Sequence, residues 1–330
     1  MNAIQQVESV ADQAFSPINR GFDAVFRPNR LSLGLVVPLE SYATSPVPTM
    51  KRHLERAQLA EALGFSAIWL RDVPFCVPSF GDAGQLYDPF VYLGLLAGQT
   101  ERIALGVASI VLPLRHPAHV AKAAASADVL SGGRLIVGVA SGDRPEEYPA
   151  LGIPFGDRGA RFRASYDYIR HMVEVAPSFE NPFGSLRGGV DMLPKPASGK
   201  LPLLVTGSSR QSPEWIARNG DGWMIYPRGT AVQAQVIRDW RARIEAAGVP
   251  DKPVMQPLYI DLAEDPEASP RPIHLGLRLG IRHLRSYLRS REEIGVNHVA
   301  LNLRFNQADV ETTMKRLADD LLPDFAGKGV

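Results

Sequence analysis

Cysteine is almost absent: Cys76 is the only one in 330 residues. That excludes an intramolecular disulfide and a cysteine-rich metal site, and makes a reducing compartment the natural setting. Cys76 itself reads as a small packing residue. No apolar run approaches the ~20 residues needed to span a bilayer. The opening stretch MNAIQQVESVADQAF contains acidic residues and lacks a basic start followed by an apolar core, so a secretory leader is not expected and a cytoplasmic protein is. The net charge is only +1, which gives no sign of a nucleic-acid-binding surface.

Familiar catalytic signatures are missing as well. There is no HExxH, and the seven histidines fall mostly on helices or connectors, so no metal site is expected. His116 and His119 have the spacing of a ligand pair, but capping or solvent contact explains them better. GVASG carries its serine one place too late for a nucleophile elbow, which makes Ser141 a poor hydrolytic serine. Only Asp72 and Asp261 stand at expected strand ends, too few to support paired-carboxylate glycoside chemistry.

What is present is a rhythm. Residues 1–30 read as an N-terminal extension, with a short helix over about 3 to 15. From 31 to 330, short apolar strands alternate with helices. The strands are LSLGLVVP (31–38), FSAIWLRD (65–72), RIALGVASIVLP (102–113), RLIVGVAS (134–141), LPLLVTG (201–207), DGWMIYP (221–227), VMQPLYIDLA (254–263) and NHVALNLRF (297–305). Helices are expected over 49–64 with Thr49 as N-cap, then over about 88–100, 117–131, 158–176, 212–220, 230–247, 274–294 and 307–321. The Pro- and Gly-rich stretch 177–200 is an insertion with a hairpin expected around SLRGGVDML. Eight strands separated by helices fit a closed parallel (β/α)8 barrel better than an open sheet. The strand-to-helix GxGxxG fingerprint of dinucleotide binding is absent after the first strand.

In such a barrel, chemistry gathers at the C-terminal ends of the strands. There the chain offers donors rather than acids. Gly207-Ser208-Ser209 stands between a strand and a helix, and Ser141-Gly142 does so one strand earlier. Singly, each is also ordinary turn chemistry; together, with Arg158, Arg161 and Arg163 nearby, they point to one phosphate.

Several motifs occur in a fixed order: AEALGFSAIWLRD, ERIALGVASIVLPLRHP, DVLSGGRLIVGVASGD, LPLLVTGSSRQSPEWIARNGDGW and EEIGVNHVALNL. In these, from about Leu33 to Phe325, the chain resembles the luciferase-like monooxygenases, the flavin-dependent barrel family that includes bacterial luciferase. The resemblance implies a flavin at the barrel mouth, with its ring against a non-proline cis peptide at Ala108-Ser109. It implies phosphate binding by Arg163, Gly207, Ser208 and Ser209, with Ser141 and Gly142 at the neighbouring position. Asp72-Val73-Pro74 replaces the acid-and-histidine motif frequent after the second strand, so light emission is not implied. Asp72 and His116 are the remaining catalytic candidates.

The function this implies is an FMN-dependent oxidoreductase, a monooxygenase using reduced FMN and dioxygen on a small organic substrate. A separate flavin reductase is the expected partner, and the loop 73–87 and the insertion 177–200 are candidate lids. The family also contains deazaflavin-dependent hydride-transfer enzymes and noncatalytic flavin-binding subunits, and both stay open as alternatives. So does the oligomeric state, dimers through barrel helices being frequent in the family.

Overall fold

Eight of the strand runs pair edge to edge and close on themselves. The computed structural model describes residues 15–325, so the helix expected over 3 to 15 lies almost wholly outside the described residues. The barrel strands are β1 (Ser32–Val36), β2 (Ala67–Leu70), β3 (Ala104–Val111) and β4 (Leu135–Ala140). A small hairpin, β5 (Phe179–Asn181) and β6 (Gly184–Leu186), precedes β7 (Leu203–Thr206), β8 (Gly222–Met224) and β9 (Val254–Leu262). A second hairpin, β10 (Arg271–Ile273) and β11 (Gly276–Leu279), precedes β12 (His298–Asn302). The order β12-β1-β2-β3-β4-β7-β8-β9 is parallel throughout, and β9 returns to β12.

The helices are α1 (Arg20–Val25), α2 (His53–Ala62), α3 (Pro89–Gln99), α4 (Pro117–Leu130), α5 (Arg158–Met172), α6 (Pro213–Asn219), α7 (Thr230–Ala246), α8 (Ile281–Glu293) and α9 (Val310–Phe325). Apolar residues on the outward side of the strands and the inward side of the helices form the main core. No helix is long and apolar enough to cross a membrane among the described residues.

The inside of the barrel is filled by alternating large and absent side chains. A Cβ on Gly106 would lie 2.2 Å from the Trp69 ring, and one on Gly138 would lie 2.5 Å from the Met224 sulfur. Gly34 leaves the same kind of room for His298. Trp69 Nε1–H donates to His298 Nε2 at 2.8 Å, His298 Nδ1 meets Ser32 Oγ at 2.7 Å, and Ser32 Oγ–H donates to Val25 O. This chain of bonds fixes neutral His298 with its proton on Nδ1. Below it, Phe15, Ile18, Phe22, Val25 and Phe26 of the segment around α1 pack onto inward-facing residues of the strands. Asn19 caps α1 and ties it to Asp128 and to the carbonyl of Leu135. The N-terminal end of the barrel is therefore plugged.

Four element boundaries differ from the sequence expectation. The helix expected over 274–294 begins at Ile281, because residues 271–279 form the β10–β11 hairpin. Gly276 carries that pairing, since a Cβ there would lie 1.8 Å from the Tyr259 carbonyl oxygen. The 49–64 helix begins at His53, not Thr49, because Met50 and Arg52 are left-handed and Thr49 is held by both oxygens of Glu40. The hairpin of the insertion turns at Pro182-Phe183 rather than within 185–193. The α5 helix stops at Met172 instead of 176, ahead of Pro177, which disfavours helical backbone at Ala176.

Burial lowers the His298 pKa to about 3, against about 6.5 in an unfolded chain. The unfolded state then takes up the proton first, so stability is full above pH 6.5 and falls as the pH drops toward 3. Urea denaturation of the protein and of His298→Gln between pH 7.5 and 4.5 tests this. The unaltered chain is expected to lose up to about 1.4 kcal/mol more per pH unit below 6.5 than the variant; parallel pH curves would refute the assignment.

Candidate active site

The opposite end of the barrel is open. The β3–β4 register shifts between Val107 and Ile110, and the peptide bond inside that shift, Ala108-Ser109, is cis. Above it lies a cavity of about 440 Å³ walled by the ends of β2, β3, β4 and β7. Ala108, Ser109, Ser141, Gly142, Gly207, Ser208 and Ser209 all line it, as does Asp72. The sequence expectation thus gathers most of its candidates into one cleft.

The β7 end is shaped for an anion. Gly207, Ser209 and Arg210 have left-handed backbone, with φ of 56°, 44° and 61°. Trp223 Nε1–H donates to Gly207 O and Ser209 Oγ–H to Thr206 O, so the turn is held from behind. Backbone in alternating hands turns N–H groups into a concave anion-binding surface. Arg158 and Arg210 stand beside it. Arg158 lies 3.7 Å above the Phe155 ring, and its Nε is buried with no acceptor among the described residues. A buried donor of that kind is costly unless something accepts from it.

Three candidates have other surroundings. The Asp72 carboxylate is fully buried and takes both Nε and Nη2 of Arg115, at 3.0 and 2.7 Å, together with the Val111 N–H at 3.0 Å. It clamps the end of β3 to the start of the next connection. Arg163 is outside the cleft: it donates to Gln211 at 2.9 Å and lies over the Trp215 ring, in a neighbouring cavity that shares Arg210. His116 accepts from Ala118 N–H at 3.3 Å as the cap of α4 and packs among His119, Tyr168 and Phe183. It is not brought to the cleft.

Beyond Asp143, which stands at the expected end of the fourth strand, sequence reasoning passed over the connector 143–157. It supplies Asp143, Arg144, Glu147 and Phe155 to the lining. Arg144 lies 4.2 Å above Phe80 and Ser79 bonds Glu146, so this connector meets the loop 73–87 over the cleft. Burial pushes the Glu147 carboxyl above its ordinary range although Arg144 faces it at 3.4 Å. Tyr148, which donates to the Ser141 carbonyl, is pushed up to about 12 by burial. The insertion 177–200, expected as a lid, instead borders the neighbouring cavity through Glu180, Asn181 and Pro182. The usable signal was length, since a long irregular connection at a barrel mouth is where binding residues collect.

The model of the family described as luciferase-like monooxygenase matches residues 31–329. This chain belongs to the luciferase-like monooxygenase family. Among relatives of this luciferase-like protein is an uncharacterized protein of Mycobacterium tuberculosis, 30% identical over 240 residues, which are 67% of this chain and 83% of that one. The 4-hydroxyprotoasukamycin monooxygenase of Streptomyces nodosus subsp. asukaensis is 31% identical over 228 residues, 66% of this chain and 59% of that one. The fold matches the monooxygenase RslO1 from Streptomyces bottropensis with TM-score 0.74 at 21% identity, over 89% and 100% of the two chains. An F420-dependent secondary alcohol dehydrogenase in complex with an F420-acetone adduct matches with 0.73 at 17%, over 88% and 98%. The oxygenating constituent of 3,6-diketocamphane monooxygenase from Pseudomonas putida, in complex with FMN, matches with 0.72 at 13%, over 90% and 99%.

The Asp72–Arg115 pair can be tested as a clamp by a double-mutant cycle with Asp72→Asn and Arg115→Met. Each single change is expected to cost about 3 kcal/mol, since each leaves a partner unpaired, and the double change clearly less than their sum. Strictly additive losses in urea denaturation would mean that the pair is not coupled.

Proposed function

We propose that this luciferase-like protein is an FMN-dependent monooxygenase that oxidises a small organic substrate in the cleft above Ala108-Ser109. The observation that carries the reading is the orphaned Arg158 Nε beside the left-handed turn Gly207 to Arg210. Those donors want an anion with several acceptor oxygens, and a phosphate monoester meets that need. The small side chains of Ala108 and Ser109 leave an open floor next to it for a flat ring.

In this reading, Gly207, Ser208, Ser209, Arg158 and Arg210 hold the FMN phosphate, and Ala108-Ser109 with Ser141-Gly142 support the ring. Bound in its reduced form, FMN supplies the electrons that activate dioxygen. The chain's own contribution is orientation and exclusion of water. Phe80, Arg144 and Phe155 cover the cleft from two connectors, and Asp72 keeps the β3 end fixed through Arg115. Reduced FMN comes from a separate reductase, and the protein works in the cytoplasm.

A deazaflavin is the second reading, favoured by one observation: Arg210 borders both the cleft and the adjoining cavity that contains Arg163. A longer acidic tail would have somewhere to go. Arg163 is engaged by Gln211, however, and Asp167 and Glu180 share that cavity. The balance of charge there favours the shorter cofactor.

Calorimetric titration of the purified protein with FMN, riboflavin and a deazaflavin cofactor decides between these readings. FMN is expected to bind most tightly, and Arg158→Gln to weaken it by about tenfold, or about 1.4 kcal/mol, while leaving riboflavin, which lacks the phosphate, unchanged. Tighter deazaflavin binding would sink the FMN reading, and equal losses for FMN and riboflavin would remove Arg158 from the phosphate.

A further inference from the structure

One buried polar cluster at the barrel mouth has no part in the cofactor reading. Arg71 follows β2, Arg304 follows β12, and Asp82 comes from the loop between β2 and α3. Asp82 Oδ2 accepts from Arg71 Nη1 at 2.5 Å and from Arg304 Nη1 at 3.1 Å. Its Oδ1 accepts from the Gly84 N–H at 2.8 Å and from the Tyr42 hydroxyl at 3.3 Å. Two guanidinium groups therefore share one carboxylate oxygen, and the cluster keeps one positive charge in excess.

That excess sits in poorly solvated surroundings. The side chains of Arg304 and Arg71 are only 10% and 17% exposed. Arg304 is packed over Tyr42 and Phe305, gives Nη2 to the Gly81 carbonyl, and has a buried Nε with no acceptor among the described residues. Arg71 uses a single N–H on Asp82, and it lines the cleft together with Phe80 and Tyr226. The other acids of the cleft give it no relief: Asp72 is taken by Arg115, Glu147 faces Arg144, and Asp143 is exposed. Holding an uncompensated buried charge is unfavourable unless a ligand supplies the opposite one.

We propose that this cluster recognises the carboxylate of an organic-acid substrate, with Arg71 making the contact and Asp82 and Arg304 positioning it. Arginine presents paired donors in a plane that suits a carboxylate. Phe80 and Tyr226, which line the same cleft, receive the apolar body of the acid. The proposal rests on the reading of the cleft as a flavin site only in placing that body beside the ring; the anion preference belongs to Arg71.

The probe is benzoate, compared with benzamide, which has the same shape and no charge. Both are titrated calorimetrically into the protein in phosphate buffer containing FMN, so that the anion site after β7 is occupied. Benzoate is expected to bind at least tenfold more tightly than benzamide. Arg71→Gln abolishes that preference, whereas Arg158→Gln keeps it while losing FMN affinity. Equal binding of the two probes by the unaltered protein, no binding of either, or a preference that survives Arg71→Gln would overturn the proposal. Because the unaltered protein already discriminates, the outcome does not hinge on whether a variant folds. Normal FMN affinity without benzoate preference overturns this inference alone, and benzoate preference without FMN affinity overturns the cofactor reading alone.

Discussion

The structure depends on how the inside of the barrel is filled. Trp69 occupies the space that Gly106 leaves empty, and its indole N–H ends on His298, which is in turn bonded to Ser32. Any side chain at 106 would collide with that ring. A large residue on one strand facing glycine on the next fills a narrow cylinder without voids. The polar atoms brought inside are satisfied in one continuous chain that runs down to the carbonyl of Val25 on the plug. With its N-terminal end closed in this way, the barrel has one open end, and the cleft is there.

At that end the strands finish in donors and arginines. Arg71, Arg144, Arg158 and Arg210 all reach the cleft, while Asp72 is spent on Arg115. Such a surface is suited to anions, and Asp143 is the one exposed acid in its lining. In the proposed function a cofactor supplies the reactivity and the chain supplies orientation. Arg158, at the start of α5, and Arg71, after β2, line the same cleft, so in the proposed reading one serves the cofactor and the other the substrate.

Much of this was legible from the sequence because the barrel strands are short apolar runs that appear in order, and their C-terminal ends could be read off directly. Ser141-Gly142 and Gly207 to Ser209 were named on that basis and Ala108-Ser109 on the family resemblance, and all line one cleft. The errors have a common physical source. The β10–β11 hairpin looked helical because Leu277 and Leu279 continue the apolar pattern of α8, and only the close approach of Gly276 to Tyr259 separates them. Arg163 and His116 were placed by position along a motif, which does not report the side-chain partners that hold them away. The connector 143–157 has no periodicity at all, and its part in the site follows from tertiary packing against Phe80. The Arg71–Asp82–Arg304 cluster joins the ends of the two strands that flank β1 to a loop residue, and because these positions are far apart in the chain no local pattern reveals their contact.

In the proposed function the flavin ring lies on the floor made by Ala108 and Ser109, and filling that floor is the most direct test. Calorimetric FMN titration of Ala108→Phe, with thermal melting as the check on folding, makes the comparison. The expected result is a folded barrel that melts near the unaltered protein and no longer binds FMN. A folded variant that binds FMN as well as the unaltered protein does would contradict it.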